Sequence, residues 1–334
     1  MSAALALVTE HLPDQPDAEM LHHHERAKAQ RRHSRAASTQ RTYAQDFKLF
    51  ALWCASGGRD YPSLPAPTLI VAWHLNACCE GWTAGTRQYR PLSVSSINRR
   101  LAAIAWVHRT NGHADPTDNP ALREQLSGIR NLYGRPPRRK QAATAERIAL
   151  MLAKCPDNLL GIRDRCLLAL GFAGAFRRSE LAALRVEDLT RVPEGLRITI
   201  TRSKTDQTAQ GQEIVVPHGS SLLPVRAVEE WLAASGIAEG LLLRVVHRGG
   251  HLKHGGLTGH DVARAVKKYA QAAGLDPAEF SGHSLRAGFA TSAAETGASV
   301  LKIMETTRHK SVDVLAAYVR RVDLFKDHAG AKFL

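Results

Sequence analysis

Cysteine is scarce in this chain of 334 residues: the five present (Cys54, Cys78, Cys79, Cys155 and Cys166) form no CxxC pair and no even framework. A disulfide scaffold is therefore not encoded, and free thiols suit a reducing cytoplasm. The neighbours Cys78 and Cys79 read as helix packing residues, not as a redox site. No apolar run reaches the ~18–20 residues that cross a bilayer, so no membrane partner is expected. The opening stretch Ala3-Ala4-Leu5-Ala6-Leu7-Val8 is brief, has no basic leader and makes a poor signal peptide. A glycine-rich phosphate loop and a carboxylate cluster are both missing, so neither a nucleotide nor a metal cofactor is expected. Internal repeats are also absent. Acidic residues are the last shortage: 31 Asp+Glu face 45 Lys+Arg, for a net charge of +14. Such an excess calls for a polyanion, which nucleic acid or an anionic surface satisfies.

What is present is ordinary globular material, 44% hydrophobic and 23% charged, at a length that suits two domains. Residues 1–37 read as a flexible basic arm, broken by Pro13 and Pro16, with a basic run from Glu25 to Arg35. The triplet His22-His23-His24 cannot converge on one metal from a helix. Ser38 is expected to cap a helix ending near Ser56-Gly57-Gly58, with Tyr43, Phe47, Phe50 and Trp53 at helical spacing. Further helices are expected over Thr68–Cys79, Ser93–Thr110 and Pro120–Tyr133, which makes residues 38–134 an all-helical unit. Gly134-Arg135-Pro136-Pro137-Arg138-Arg139-Lys140 is a stiff cationic connector, so 135–141 is taken as the linker. Residues 142–321 then mix helices with a small sheet. Helices are expected over Ala145–Lys154, Leu159–Ala173, Pro224–Ser235 and Thr258–Gly274, and again from Ser281. Leu196–Thr201 and Glu213–Val216 alternate as strands, with Lys204 at the tip between them. Residues 322–334 form a short tail. The fold class is mainly α with a small β-sheet.

Four patterns carry chemistry. Arg177 lies in Phe-Arg-Arg-Ser-Glu-Leu, Lys204 on the hairpin, and His283 with Arg286 in Gly-His-Ser-Leu-Arg-Ala-Gly-Phe-Ala-Thr. His309 in Arg-His-Lys-Ser is followed by Tyr318 in Tyr-Val-Arg-Arg. Singly, each has a bland reading: helix-end arginines face solvent, and Tyr318 shares a helix face with Val314 and Leu315 like a core aromatic. Together they form a set for attack on a phosphodiester. Their order and context resemble the tyrosine recombinase (phage integrase) superfamily, Cre-like and Xer-like enzymes included, across residues 38 to about 322.

The resemblance implies an all-helical core-binding domain and a mixed α/β catalytic domain. It makes Tyr318 the nucleophile, Arg177 and Arg286 the phosphate holders and Lys204 the acid for the leaving 5′-oxygen. His283 would bond near the nucleophile or phosphate, His309 would donate to a non-bridging oxygen, and Glu180 would support its neighbours. A 3′-phosphotyrosyl bond conserves the ester energy, so no cofactor is implied. The expected partners are double-stranded DNA with a specific site and a homo-tetramer on two such sites, in the cytoplasm at the nucleoid. Members often dock such a tail on a neighbouring protomer.

Arg41, Arg99, Arg100, Arg138, Arg139, Lys140, Arg264 and Lys267 are expected to meet DNA. The histidines at 247, 251, 254 and 260 sit among glycines, which argues for a flexible loop and against zinc. Two positions depart from the family pattern: Ala175 and Arg308 stand where glycine is usual. Alanine is a mild change if φ there is negative. Rival readings are a type IB topoisomerase-like or telomere-resolving strand transferase, and a non-catalytic DNA-binding protein.

Overall fold

The computed structural model describes residues 17–33, 35–136, 140–200, 212–247, 249–309 and 311–312. The chain divides into two units, residues 1–137 and 138–334. In the first, the described part of the basic arm is not loose. Ala18–His33 form a helix, α1, and Asp17 Oδ1 accepts from the Met20 N–H at 2.7 Å at its start. Its Ala, Glu, Lys, Gln and Arg residues are strong helix formers, and that propensity prevails over charge repulsion. Residues 1–16 lie outside the described part.

α2 (Ala37–Cys54) begins one residue before the expected Ser38 cap, without a side-chain cap. α3 (Thr68–Glu80), α4 (Val94–Thr110) and α5 (Pro120–Tyr133) complete the helical set. Ser93 Oγ accepts from the Ser96 N–H at the head of α4, and Asn119 Oδ1 from the Ala121 N–H at the head of α5. Phe50, Trp53, Val71, Leu75, Ile97, Leu101 and Ile104 bury their side chains in one core. Each such burial stabilises by about 1.5–3 kcal/mol. The unit also has a strand pair that the pattern concealed: β1 (Trp82–Ala84) pairs antiparallel with β2 (Arg87–Tyr89) around Gly85. Trp82 stacks on Tyr89 at 4.0 Å, which fixes the register from a cross-strand aromatic pair. Three residues per strand are too few for alternation to show.

His74 is fully buried against the rings of Phe50 and Trp53, at 5.1 and 4.8 Å. Burial first, then the charges of Arg100 and Arg59, hold its pKa down to about 3. The unfolded chain binds this proton from about pH 6.5 downward, and the folded chain does not. The stabilising contribution is therefore complete above pH 6.5 and fades as pH falls toward 3. Between pH 7 and 5, chemical denaturation should show His74 accounting for about 2 kcal/mol of lost stability. His74→Leu should remove that share; an unchanged pH slope would assign it to other groups.

In the second unit α7 (Leu159–Ala173) runs through the core, with Cys166 to Phe172 all buried. α6 (Ala145–Leu152), α8 (Arg178–Ala183), α9 (Pro224–Ser235), α10 (Gly259–Ala272) and α11 (Ser284–Glu295) complete the helices around it, followed by α12 (Val300–Thr307). Gly171 is required by packing: a Cβ there would come within 2.8 Å of Leu181 and Leu285. It lets α7 approach the two elements that carry Arg177 and Arg286.

The sheet has three antiparallel strands in the order β3 (Leu189–Val192), β4 (Gly195–Ile200), β5 (Gln212–Pro217). β3 is a strand that the sequence pattern missed. Along β4, Leu196, Ile198 and Ile200 are buried while Arg197 and Thr199 are exposed, as period-two alternation requires. The histidine-rich stretch is largely a hairpin, not a flexible loop: β6 (Arg244–Val246) pairs with β7 (Leu252–Gly256). Backbone pairing fixes it despite its glycines. Among the described residues no helix is long and apolar enough to cross a membrane.

Candidate active site

Two helix ends build the centre of the second unit. α7 stops at Gly174, after which the Ala175 N–H bonds the Phe172 carbonyl (2.9 Å) and the Phe176 N–H bonds the Gly171 carbonyl (3.2 Å). This double bond pattern is a Schellman motif, whose closing residue must be left-handed. Ala175 takes that place with φ +44°, so alanine is not a mild change here. α12 ends the same way. The Arg308 N–H bonds the Glu305 carbonyl, the His309 N–H bonds the Met304 carbonyl, and Arg308 is left-handed at φ +55°. A side chain in this conformation costs about 1–2 kcal/mol, which glycine would avoid. Both departures from the glycine pattern thus fall where glycine is conformationally favoured.

Each turn is followed by a side chain that the motifs singled out. After the first, Arg177 precedes α8 with its guanidinium 2.5 Å from Glu180 Oε1. Its own N–H donates to Glu180 Oε2 at 3.0 Å, so one carboxylate caps α8 and orients the arginine. Glu180 is 5% exposed, and its negative charge is shared between Arg177 and Arg308, whose Nη2 donates to Oε2 at 2.9 Å. Arg286, in the first turn of α11, donates through Nη1 to the Ala175 carbonyl at 3.0 Å. The same carbonyl accepts from Arg308 Nη2 at 3.3 Å. His283 stands exposed just before α11, three residues from Arg286.

After the second turn, His309 is held by Thr307, a residue that the motifs did not single out. Thr307 is fully buried and donates through Oγ1 to the Ile303 carbonyl at 2.6 Å. Its single proton is spent there, so the 2.7 Å contact with His309 is an Nδ1–H donated to Thr307 Oγ1. Burial first, then Arg286, Arg177 and Arg308, lower the His309 pKa to about 4. At neutral pH the ring is therefore uncharged with a lone pair on Nε2. In this state Nε2 is an acceptor, and it donates once it takes a proton. The arrangement can bind an oxyanion between Arg177 and Arg286 and exchange a proton through His309.

Lys204 and Tyr318 lie outside the described residues, as do Arg138, Arg139 and the tail 322–334. Of the expected DNA contacts, Arg100 is corrected. It is 6% exposed, lies 3.8 Å from Asp46 and bonds Cys78 Sγ, so it is a buried partner and not a phosphate contact. Helical charge spacing could not tell it from Arg99, which is half exposed and bonds Asp46 Oδ2 at 2.7 Å. Arg41 and Lys267 are exposed. Arg264 is paired with Asp261, and Lys140 donates to the Ala278 carbonyl. Among the described residues no three His, Cys, Asp or Glu side chains gather to hold a metal.

The phage integrase family model matches residues 141–323. An integrase/recombinase XerD homologue of Selenomonas ruminantium is 36% identical, the match covering 91% of this chain and 87% of that protein. The recombinase Cre of Escherichia phage P1 is 27% identical over 82% of this chain and 81% of its own. Among solved structures, XerH site-specific recombinase bound to palindromic difH substrate shares the fold at TM-score 0.58 and 17% identity, over 80% of this chain and 72% of that one. A lambda integrase (75–356) dimer bound to a COC′ core site does so at 0.52 and 16%, over 85% and 89%. A family model matched over residues 141–323, and relatives matched over most of their length, have one explanation: the chain belongs to the phage integrase family and is a tyrosine-type site-specific recombinase.

Proposed function

We propose that this recombinase cuts and rejoins a specific double-stranded DNA site with Arg177, Arg286, Lys204, His283, His309 and Tyr318 as its catalytic set. The observation that supports this assignment is that Arg177 is held by Glu180 and Arg286 by the Ala175 carbonyl, with His309 close enough to feel both guanidinium charges. The Tyr318 phenolate attacks phosphorus, the bond to the 5′-oxygen breaks, and a 3′-phosphotyrosine forms. The phenol proton passes to a nearby base, for which His283 and neutral His309 are the candidates. The negative charge of a bound phosphate favours protonated His309, which then donates to a non-bridging oxygen. The 5′-hydroxyl of a second strand reverses the step, so two exchanges pass through a Holliday junction. Four protomers on two sites, tied by the tail at 322–334, are the assembly that we assign, acting in the cytoplasm on the nucleoid. Arg41, Arg99, Arg138, Arg139, Lys140, Arg264 and Lys267 supply phosphate contacts.

The test is selection for covalent capture. The protein is incubated with a pool of nicked duplexes carrying a randomised central segment, and protein-bound strands are recovered by phenol partition and sequenced. Enrichment of one sequence family is expected. Recovery of bound duplex without any denaturation-resistant adduct would favour a non-catalytic DNA-binding protein.

Lys204→Ala isolates the leaving-group step. An alkoxide leaves poorly, so losing a positioned acid should slow cleavage by about 10²- to 10³-fold. A 5′-phosphorothiolate leaves without protonation and should restore the variant to within about tenfold of the unaltered protein. Slow cleavage of both substrates would remove Lys204 from the acid role.

A further inference from the structure

Arg308 is a costly residue to keep. It occupies a left-handed position that favours glycine, and its side chain is 7% exposed. Its Nε and Nη1 are buried without a hydrogen-bond partner among the described residues, and its Cζ lies 5.6 Å from the centre of the Phe176 ring. Only Nη2 is satisfied, by Glu180 and the Ala175 carbonyl. An ordinary surface arginine would leave this place for water, because burying a guanidinium with unmet donors is unfavourable.

What the residue adds is charge. Arg177 with Glu180 is a neutral pair, and Arg286 alone leaves the cluster at one positive charge. Arg308 raises that to two. A phosphodiester carries one negative charge, and the pentavalent state on the way to phosphotyrosine carries two. We propose that Arg308 is a positioning residue of the phosphate site. It bridges Glu180 and the Ala175 carbonyl, so that Arg177 and Arg286 are held in register, and its buried charge favours the doubly negative transition state without touching the phosphate. This inference rests on the assignment of Arg177 and Arg286 as the phosphate holders. The single pair of bonds from Arg308 also locks the Schellman turn before α8 to the one that presents His309.

The test uses the full chain and a nicked duplex recovered in the capture experiment, in single turnover. Arg308→Gly relieves the left-handed strain, and Arg308→Met keeps volume but not charge. Both should form adduct roughly 10- to 100-fold more slowly, as expected for the loss of a unit charge acting across several ångströms. Thermal denaturation should show Arg308→Gly at least as stable as the unaltered protein. The decisive readout is a methylphosphonate at the scissile position, which has one negative charge fewer throughout. There, with rates compared at subsaturating DNA, the transition state carries one negative charge in place of two, and the penalty should shrink to about 3- to 10-fold, roughly the square root of its value on ordinary DNA. Equal cleavage of ordinary DNA by all three proteins, or a penalty that persists undiminished on methylphosphonate, would overturn the inference. Adduct formation by the unaltered protein separates that outcome from a failure of the underlying assignment.

Discussion

Tyr318→Phe should abolish the covalent protein–DNA adduct on nicked duplex while leaving DNA affinity within about threefold. In the proposed reaction the phenol oxygen forms the new bond to phosphorus, and its removal would leave no substitute at that position. Binding rests instead on cations distributed over both units, for a net charge of +14. A free tyrosine has a pKa near 10, so about one in a thousand is ionised at neutral pH. In the proposed reaction, the guanidinium groups of Arg177, Arg286 and Arg308 would supply the positive potential that shifts this balance. Denaturing electrophoresis after single turnover is the measurement. A normal adduct from Tyr318→Phe would transfer the nucleophile's role to another residue.

Arg286→Ala should lower single-turnover cleavage by about 10³-fold, again with DNA affinity nearly retained. Arg286 is anchored by the Ala175 carbonyl at 3.0 Å, so its guanidinium is already oriented for the phosphate of the proposed reaction. Preorganisation of this kind makes a donor count more in the transition state than in the ground state. The substitution also removes a buried side chain and its hydrogen bond, so folding needs a separate check. Arg286→Lys keeps the charge and most of the volume but not the planar fork, and should remain slower by at least tenfold. If Arg286→Ala folds and cleaves normally, the phosphate cradle does not include it.

Much of the candidate site was legible because its motifs are local. The Phe-Arg-Arg-Ser-Glu-Leu segment shows Glu180 three residues after Arg177, which is the spacing of a carboxylate that caps a helix and pairs with its first residue. The His-x-x-Arg spacing likewise places His283 and Arg286 at one helix entrance. Arg100 was misread for the converse reason. On its helix it neighbours Arg99, both pair with the buried Asp46 carboxylate, and only the packing of α4 against α2 shows that Arg100 is buried while Arg99 keeps half its surface in water. The β1–β2 hairpin and β3 escaped notice because short strands give no periodic signal, and their pairing partners define them.

Sequence by itself determined the helices with strong stripes, the order of the family motifs and the cationic character of the whole. Those properties depend on neighbours a few positions away, or on composition alone. Tertiary structure decided what Ala175 and Arg308 mean. They are 133 positions apart, yet the two left-handed helix ends meet so that one carbonyl receives both Arg286 and Arg308. Without that closure, Arg308 reads as a stray surface charge. With it, the residue is a buried cation facing Glu180, because the folded chain removes water from around it and leaves the carboxylate as its counter-charge.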